Sequence, residues 1–492
     1  MASWRVPTLA ALLCAPAVVG GSTIPSAPSW QAAAESRYDV VVLGTGLKES
    51  LLSGLLASHG KRVLQLERSA QRGGDAASVD LQRLAERTSG PEEQLSPARL
   101  GKLSAYSIDA APKAFVASGT QLQLFVQGGA WSHMDMKRVQ RSLLYRKKPD
   151  GTADVHRVLA NAEDVLKTRF LKPMEKAKML QLFVWVEKYD ESNPATFVAG
   201  LTQKRTLKLK RMSAAGFLKY WDLSDEAKQM VCRGLALYSG PTAELKKMSA
   251  LTLVRRIKRY KDAYKTFSHM TSPYVYPVGG FGTALPKAVA EVLEENDGYQ
   301  LLDRPIDRIV FDDSGAACGV ESEGVEVKCG CVVAAPEYVP DRVTESHKVV
   351  RLYAVLAHAP NLCKEATSCH LVIPAQECGR SNDIFLFAGG PTLGVAPKGK
   401  WLVVASTRLE GECDGEALAL AKRELAAVLP LLKPAKKLLA EVVPCYAPKE
   451  DEQPPEGLHL CASCDETTHF DSVEEDVLRV YEAITGEPLK EA

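Results

Sequence analysis

The 492-residue chain has no apolar run of about 18 residues, so its sequence offers no membrane-spanning helix. It also lacks an excess of either charge: 61 Lys and Arg against 60 Asp and Glu leave a formal net charge of +1. No global field then draws in nucleic acid or an acidic bilayer, and electrostatic recognition has to be local. The twelve cysteines, spread from Cys14 to Cys464, lack the dense spacing that staples small secreted domains, which favours a reducing compartment. Cys461-x-x-Cys464 followed by His469 invites a zinc reading, but a structural site needs four ligands and no second close Cys/His pair accompanies it. The nine histidines are scattered, and no Ser/His/Asp or Cys/His set stands at a recognisable motif spacing, so hydrolase chemistry has no carrier.

What is present begins with a leader unlike the rest. Arg5 precedes an apolar stretch from Val6 to Val19, then Gly20-Gly21-Ser22 and small residues through Ala32-Ala33-Ala34. This resembles a secretory signal with an Ala-x-Ala cleavage site, although Pro7 and Pro16 interrupt it; a transit peptide or translation from an upstream start also fits. The folded chain is expected to start near Arg37, with residues 1–36 adding nothing to its core.

From Tyr38 the pattern sharpens. Tyr38 to Leu43 is a continuous apolar run fit for a buried parallel strand, and Gly44-Thr45-Gly46 follows at once. Leu51, Leu52, Leu55 and Leu56 then stand at helical spacing up to Gly60, and Lys61 to Glu67 reads as a second strand ending in an acid. This strand, glycine turn, helix, strand unit opens a doubly wound α/β fold of the dinucleotide-binding kind. Such a turn uses a third glycine to pack helix on strand, and here that position is Glu49. A carboxylate in the first helical turn satisfies the positive helix end itself and repels a diphosphate. Glu67 stands where an acid would hold ribose hydroxyls, and Gly73-Gly74 follows as in FAD enzymes of the amine oxidase type. The ancestry signal is therefore stronger than the cofactor signal, and bound FAD is not expected.

Strand signals fade between about Pro112 and Gly234, where Leu-, Lys-, Met- and Ala-rich stretches argue an inserted helical domain. They return in Tyr274-Val275-Tyr276-Pro277, Ile306 to Phe311, Cys329 to Ala334, Val349 to Leu356, Ser368 to Ile373 and Trp401 to Ser406. The organisation read from this is a leader at 1–37, a discontinuous sheet domain at 38–112 and 234–470, a helical domain at 113–233, and a C-terminal helix and tail at 471–492.

Tyr38 to Glu67 is similar to the opening of the Rab GDP dissociation inhibitor and Rab escort protein family, in which the third glycine is likewise Glu. The likeness continues through Tyr189-Asp190-Glu191, Ala236-Leu237-Tyr238, Ser272 to Pro277, Arg304-Pro305-Ile306-Asp307, Tyr338 to Val343 and Thr467-Thr468-His469-Phe470. The resemblance implies a non-enzymatic, cofactor-free FAD-enzyme-like large domain that docks a GDP-bound small GTPase. It also implies a helical domain that holds the geranylgeranyl lipid. A monomeric, cytoplasmic protein with transient membrane contact is expected, one that slows GDP release and recycles prenylated Rab-type GTPases in vesicle traffic. Without the leader the chain is inhibitor-sized and lacks the long insertions of escort proteins; an escort role and an FAD-dependent oxidoreductase are the alternatives. The latter would favour a C-terminal flavin glycine, and the matching place reads Cys461-Ala462-Ser463-Cys464-Asp465.

For the lipid, an apolar groove between movable helices needs little directional bonding. The candidates are Phe217, Tyr220, Trp221, Met230 and Val231, with Leu122, Leu124 and Phe125 on a preceding segment, although such stripes are also the ordinary inner face of a helix. Two basic stretches, Lys204 to Arg211 and Arg255 to Lys261, are either solvated helix faces or contacts for phosphates or an acidic patch. The GTPase platform of the family rests on an aromatic before Gly-Gly, an acid after a Gly-x-Gly turn, a basic residue one helical stretch later and a nearby methionine. The resemblance assigns these positions to Arg72, to Thr283 or Ala284 after Gly280-Phe281-Gly282, to Glu291 and to Leu301. The charge is thus reversed at Glu291, which disfavours conventional partners.

Overall fold

The structure, a computed structural model, describes residues 29–89, 95–200 and 204–490. Its first sheet has seven strands. Tyr299–Leu301, Val63–Leu66, Tyr38–Leu43 and Val325–Ala334 lie parallel, Leu458–Leu460 joins the last of these in parallel, and the antiparallel Ala317–Ser322 and Arg308–Phe311 extend it. The apolar run of the first strand is buried on both faces because both are covered. Val40 and Val42 point into a core shared with Leu51, Leu52, Leu55 and Leu56 of the helix Leu47–Ser58, whereas Val41 and Leu43 meet Trp30, Leu64 and Val332 on the other side.

A second seven-stranded sheet runs in the order Ala435–Pro448, Val343–Leu356, Trp401–Arg408, Ile384–Gly389, Ser368–Ile373, Arg141–Lys147 and Ala153–Arg157. All its pairs are antiparallel except Ser368–Ile373 with Arg141–Lys147. The helices Pro173–Lys188, Ala214–Tyr220, Asp225–Gln229 and Ala250–Thr266, with a π-helical turn at Met230–Leu235, form a separate helical group. Buried ion pairs tie that group to the sheets: Arg259 pairs with Asp471 and Glu474 of the C-terminal helix Asp471–Thr485, and Arg233 Nε lies 3.0 Å from Asp383 Oδ2.

Two expectations are corrected here. The span 113–233 is not uniformly helical: it contributes the strands Phe115–Val116, Met136–Arg138, Arg141–Lys147 and Ala153–Arg157 to sheets, while the helical group continues to Thr266. The charged ends of Arg141–Lys147 hide the buried centre Ser142 to Tyr145 from a periodicity count. The core also begins before Arg37. Trp30, in the short helix Trp30–Ala34, is 3% exposed and donates its indole N–H to Ser322 O at 3.0 Å, with Arg304 stacked over its ring. The rest of the expected leader, residues 1–28, lies outside the described residues.

Candidate functional site

The glycine turn after the first strand opens onto a cavity of about 380 Å³, lined among others by Gly46, Lys48, Glu49, Gly74, Asp75, Glu337, Arg351 and Glu441. This is where the sequence places a dinucleotide, and the residues present do not fit one. The Glu49 carboxylate lies so close over Gly46 that a Cβ there would collide with it, and a Cβ on Gly74 would stand 3.6 Å from Glu337 Oε1. Two carboxyls therefore sit against the glycines that would cradle a diphosphate. Burial pushes Glu49 up to about 7 and Glu337 up to about 8, with Asp75 and Glu49 adding repulsion to the latter.

The cations of the cavity are already used. Lys48 Nζ is 2.8 Å from Asp476 Oδ2, while Arg351 Nη1 and Arg87 Nε lie 3.3 and 3.1 Å from Glu441, whose Oε1 also accepts from Tyr353 at 2.6 Å. Glu67, the acid expected at the ribose position, accepts from Thr45 N and Oγ1 at 3.0 and 2.7 Å and from Ser69 N at 3.0 Å. The vestigial set Gly44, Gly46, Glu49, Glu67, Gly73 and Gly74 is thus brought together by the fold. Its polar groups bond to the chain itself. Cys461 is buried near Glu49, and no group of three metal-binding side chains occurs among the described residues.

Beside this cavity, the helix Phe281–Glu295, which carries the platform candidates Thr283, Ala284 and Glu291, packs against the loop that follows Glu67. A side chain on Gly282 would strike the backbone of Ala76 and Ser78, and one on Gly73, at φ 104°, the carbonyl of Gly282, so the two glycines interlock loop and helix. The buried Asp109 fixes the helix start: it accepts from Phe281 N at 2.8 Å, Gly282 N at 3.1 Å, Ser78 Oγ at 2.5 Å and the Tyr276 hydroxyl. Gly280 precedes this start at φ 88°. Of the platform candidates, Arg72 is half-buried and Thr283 is exposed beside Ala284 on the first helical turn. Glu291 lies two turns further on, where His133 Nδ1 meets its carboxylate at 2.8 Å and His133 Nε2 lies 3.6 Å from Glu295. Leu301 differs. It is 7% exposed and packs with Leu64 and Leu66 in the core, so it offers no docking surface.

The lipid candidates separate into two places. Leu122, Leu124 and Phe125 are buried in the helix Gly119–Gln127, and Phe125 stacks on Phe115 at 4.3 Å and touches Phe281 and Phe470 in the body of the sheet region. Phe217, Tyr220 and Trp221 instead gather with Trp185 in the helical group, where Met230 and Val231 are wholly buried. The two sets share one continuous core but no ring contact among the described residues joins them, because Gly119–Gln127 packs on Leu47–Ser58 rather than on the helical group. Of the basic stretches, Arg255 to Lys261 is spoken for: Arg255 pairs with Glu191, Arg256 with Glu475, Arg259 with Asp471 and Glu474, and Lys261 donates to Ala160 O at 3.0 Å. Lys204, Arg205, Lys208, Lys210 and Arg211 are exposed.

Asp109, Glu337 and Trp30 were not found by sequence reasoning. Each acts on segments far from it in the chain, and a single acid or tryptophan between turns has no periodic signature.

Comparison with known proteins agrees with this geometry. The family model described as GDI, GDP dissociation inhibitor, matches residues 34–491. A guanosine nucleotide diphosphate dissociation inhibitor of Arabidopsis thaliana is 32% identical over 458 residues, covering 92% of this chain and 96% of its own length. Rab GDP dissociation inhibitor beta of Rattus norvegicus is 29% identical over 453 residues, 91% of this chain and 95% of that protein. Among solved structures, Rab GDI from Plasmodium falciparum superposes with a TM-score of 0.83 at 25% identity, covering 92% of this chain and 99% of that one. An oxidoreductase from Methanosarcina mazei, at 14% identity, shares the fold with a TM-score of 0.55 over 91% of this chain and all of its own. An FAD-enzyme-like body whose cofactor cavity is closed by its own carboxyls, matched from residue 34 to residue 491, belongs to the GDP dissociation inhibitor family.

Proposed function

We propose that this chain is a Rab GDP dissociation inhibitor that binds GDP-bound, prenylated small GTPases, slows GDP release and withdraws them from membranes, acting by binding and not by catalysis. The observation that carries this reading is the family match along the whole fold, sheet body and helical group together, in a chain whose dinucleotide cavity has no free cation for a diphosphate among the described residues. In this reading the platform helix and the loop at Arg72 face the GTPase. The helical group, centred on Phe217, Tyr220, Trp221, Met230 and Val231, takes the geranylgeranyl chain by opening. Of the five large apolar side chains exposed among the described residues, Met174 and Val184 belong to that group, and Leu166 and Val198 lie on the segments that flank its helix Pro173–Lys188, which supports a lipid-facing role. Among the described residues no helix is long and apolar enough to cross a membrane.

The test uses the full chain, geranylgeranylated Rab proteins loaded with labelled GDP, and liposomes. Slower GDP release together with transfer of the GTPase from liposome to supernatant is the expected result. Release at the unassisted rate for every Rab offered would overturn the proposal.

A further inference from the structure

Next to the interlocked glycines the surface forms a depression of about 500 Å³ lined by Ser69, Gln71, Arg72, Arg83, Thr283 and Lys287. Three cations converge on it from three elements: Arg72 from the loop, Arg83 from the helix Leu81–Ser89 and Lys287 from the second turn of the platform helix. None of the three forms an ion pair within 4 Å among the described residues; Arg72 has the Glu294 carboxylate as its nearest electrostatic partner, at longer range. Arg72 is also held in place. Its Nε donates to Gln300 Oε1 at 2.6 Å, and Gln300 is itself buried and fixed by bonds to Gln65 Oε1 at 2.8 Å and Pro286 O at 3.0 Å. Arg83 donates to Gln71, whose amide in turn donates to Ser78 O at 3.1 Å. The terminal nitrogens of the Arg72 guanidinium and the Lys287 ammonium have no hydrogen bond among the described residues, so they stand as donors toward the depression, with the Ser69 and Thr283 hydroxyls alongside and Glu294 attracting Arg72 from the helix.

The charge order along the helix selects the kind of partner. Lys287 is followed four residues later by Glu291 and then by Glu294 and Glu295, so the face changes sign within about two turns. A bilayer presents anionic phosphate uniformly and would meet those carboxylates with repulsion. A folded protein can place an acid opposite the cations and a base opposite Glu291 and Glu294.

We infer that Arg72, Arg83 and Lys287 form an anion cradle for a carboxylate-bearing segment of a protein partner, one that also presents a basic group to Glu291 and Glu294. The partner's being a small GTPase rests on the function proposed above; the cradle itself does not.

Two measurements separate the two claims. In the first, fluorescently labelled poly-glutamate is titrated against the full chain and against Arg83→Gln/Lys287→Gln, a pair of exposed residues whose removal leaves the core intact. Affinity should fall by about tenfold or more and the salt dependence should flatten; equal affinity overturns the cradle. In the second, the same proteins meet GDP-loaded, geranylgeranylated Rab proteins and phosphatidylcholine vesicles containing phosphatidylserine. Weaker capture of the best-bound Rab by the variant, with binding restored when Lys287→Glu is paired with an acid-to-lysine change on that Rab, supports the inference. Loss of vesicle binding with Rab capture unchanged would assign the cations to lipid headgroups and overturn it. Failure of the wild-type chain to bind any Rab, while poly-glutamate binding still depends on Arg83 and Lys287, would overturn the GTPase reading and leave the cradle standing.

Discussion

Glu49 and Glu337 hold protons in the folded chain at pH values where an unfolded chain has released them, since burial raises them to about 7 and about 8 from 4.5. Their effect on stability is therefore absent below the ordinary carboxylate range, grows as a penalty as pH rises above 4.5, and is complete above about 7 for Glu49 and about 8 for Glu337. Replacing both by Gln should flatten the fall in stability over that range and leave the variant more stable at alkaline pH by several kcal/mol, read from urea unfolding at several pH values. A pH profile as steep as that of the wild type would show that their protons are not retained. Burial raises Asp109 as well, but here four donors from three segments converge on the carboxylate and oppose that shift. Asp109→Ala should cost about 3 kcal/mol or more by leaving buried N–H groups unpaired, whereas Asp109→Asn, which keeps one acceptor oxygen, should cost less. At this scale the fingerprint was legible and its closure was not. Glu49 stands in the motif itself, but Glu337 reaches the same cavity from 288 residues further along the chain, a distance that no local pattern spans.

Among the elements, those with a strong hydrophobic period were legible in the sequence. Tyr38–Leu43 and Ser368–Ile373 stand where the apolar runs place them, and Val343–Leu356 and Trp401–Arg408 extend theirs by a few residues, because sheet pairing continues past the apolar centre into polar ends. The helix Trp30–Ala34 was not legible: five residues give no period, and alanine-rich sequence beside an apolar leader reads as unstructured. Its contribution rests on one side chain. Trp30→Ala should lower stability by about 3–5 kcal/mol, the range for removing a buried aromatic, checked by thermal or denaturant unfolding of the full chain. No change would mean that the indole does not pack as described. The stretch from Arg255 to Lys261 carries a parallel lesson, since a row of cations in sequence turned out to be a row of ion pairs in the fold. Arg259→Met should destabilise the junction of the helical group with the C-terminal helix by about 3–5 kcal/mol by stranding Asp471 and Glu474.

For the molecule as a whole, the absence of net charge conceals a strong local ordering. The cofactor cavity is rich in carboxyls, the depression at Arg72 is lined by cations that form no ion pair within 4 Å among the described residues, and the helix that borders it changes sign along its length. Motifs spread through the chain make the fold and the family readable from the sequence. The surface chemistry is only half readable there, since Thr283, Lys287 and Glu291 share a helical face by spacing while Arg72 and Arg83 join them only through tertiary packing. The cavity carries a direct prediction: titrating the purified chain with FAD should give neither quenching of flavin fluorescence nor a shift in melting temperature, and Glu49→Gly alone should not change that, because Lys48, Arg87 and Arg351 remain paired. Stoichiometric flavin uptake by either protein would refute it.

The position of Trp30–Ala34 also sets an order of events for the amino-terminal segment. Ala32-Ala33-Ala34, the peptide bonds that a leader-processing protease would read, lie in a helix whose Trp30 and Ala33 are packed against the sheet, with Ala33 1% exposed. Proteolysis needs the backbone opened out of such packing. These bonds are therefore protected in the finished fold, and any protease would reach them only while Trp30–Ala34 is undocked.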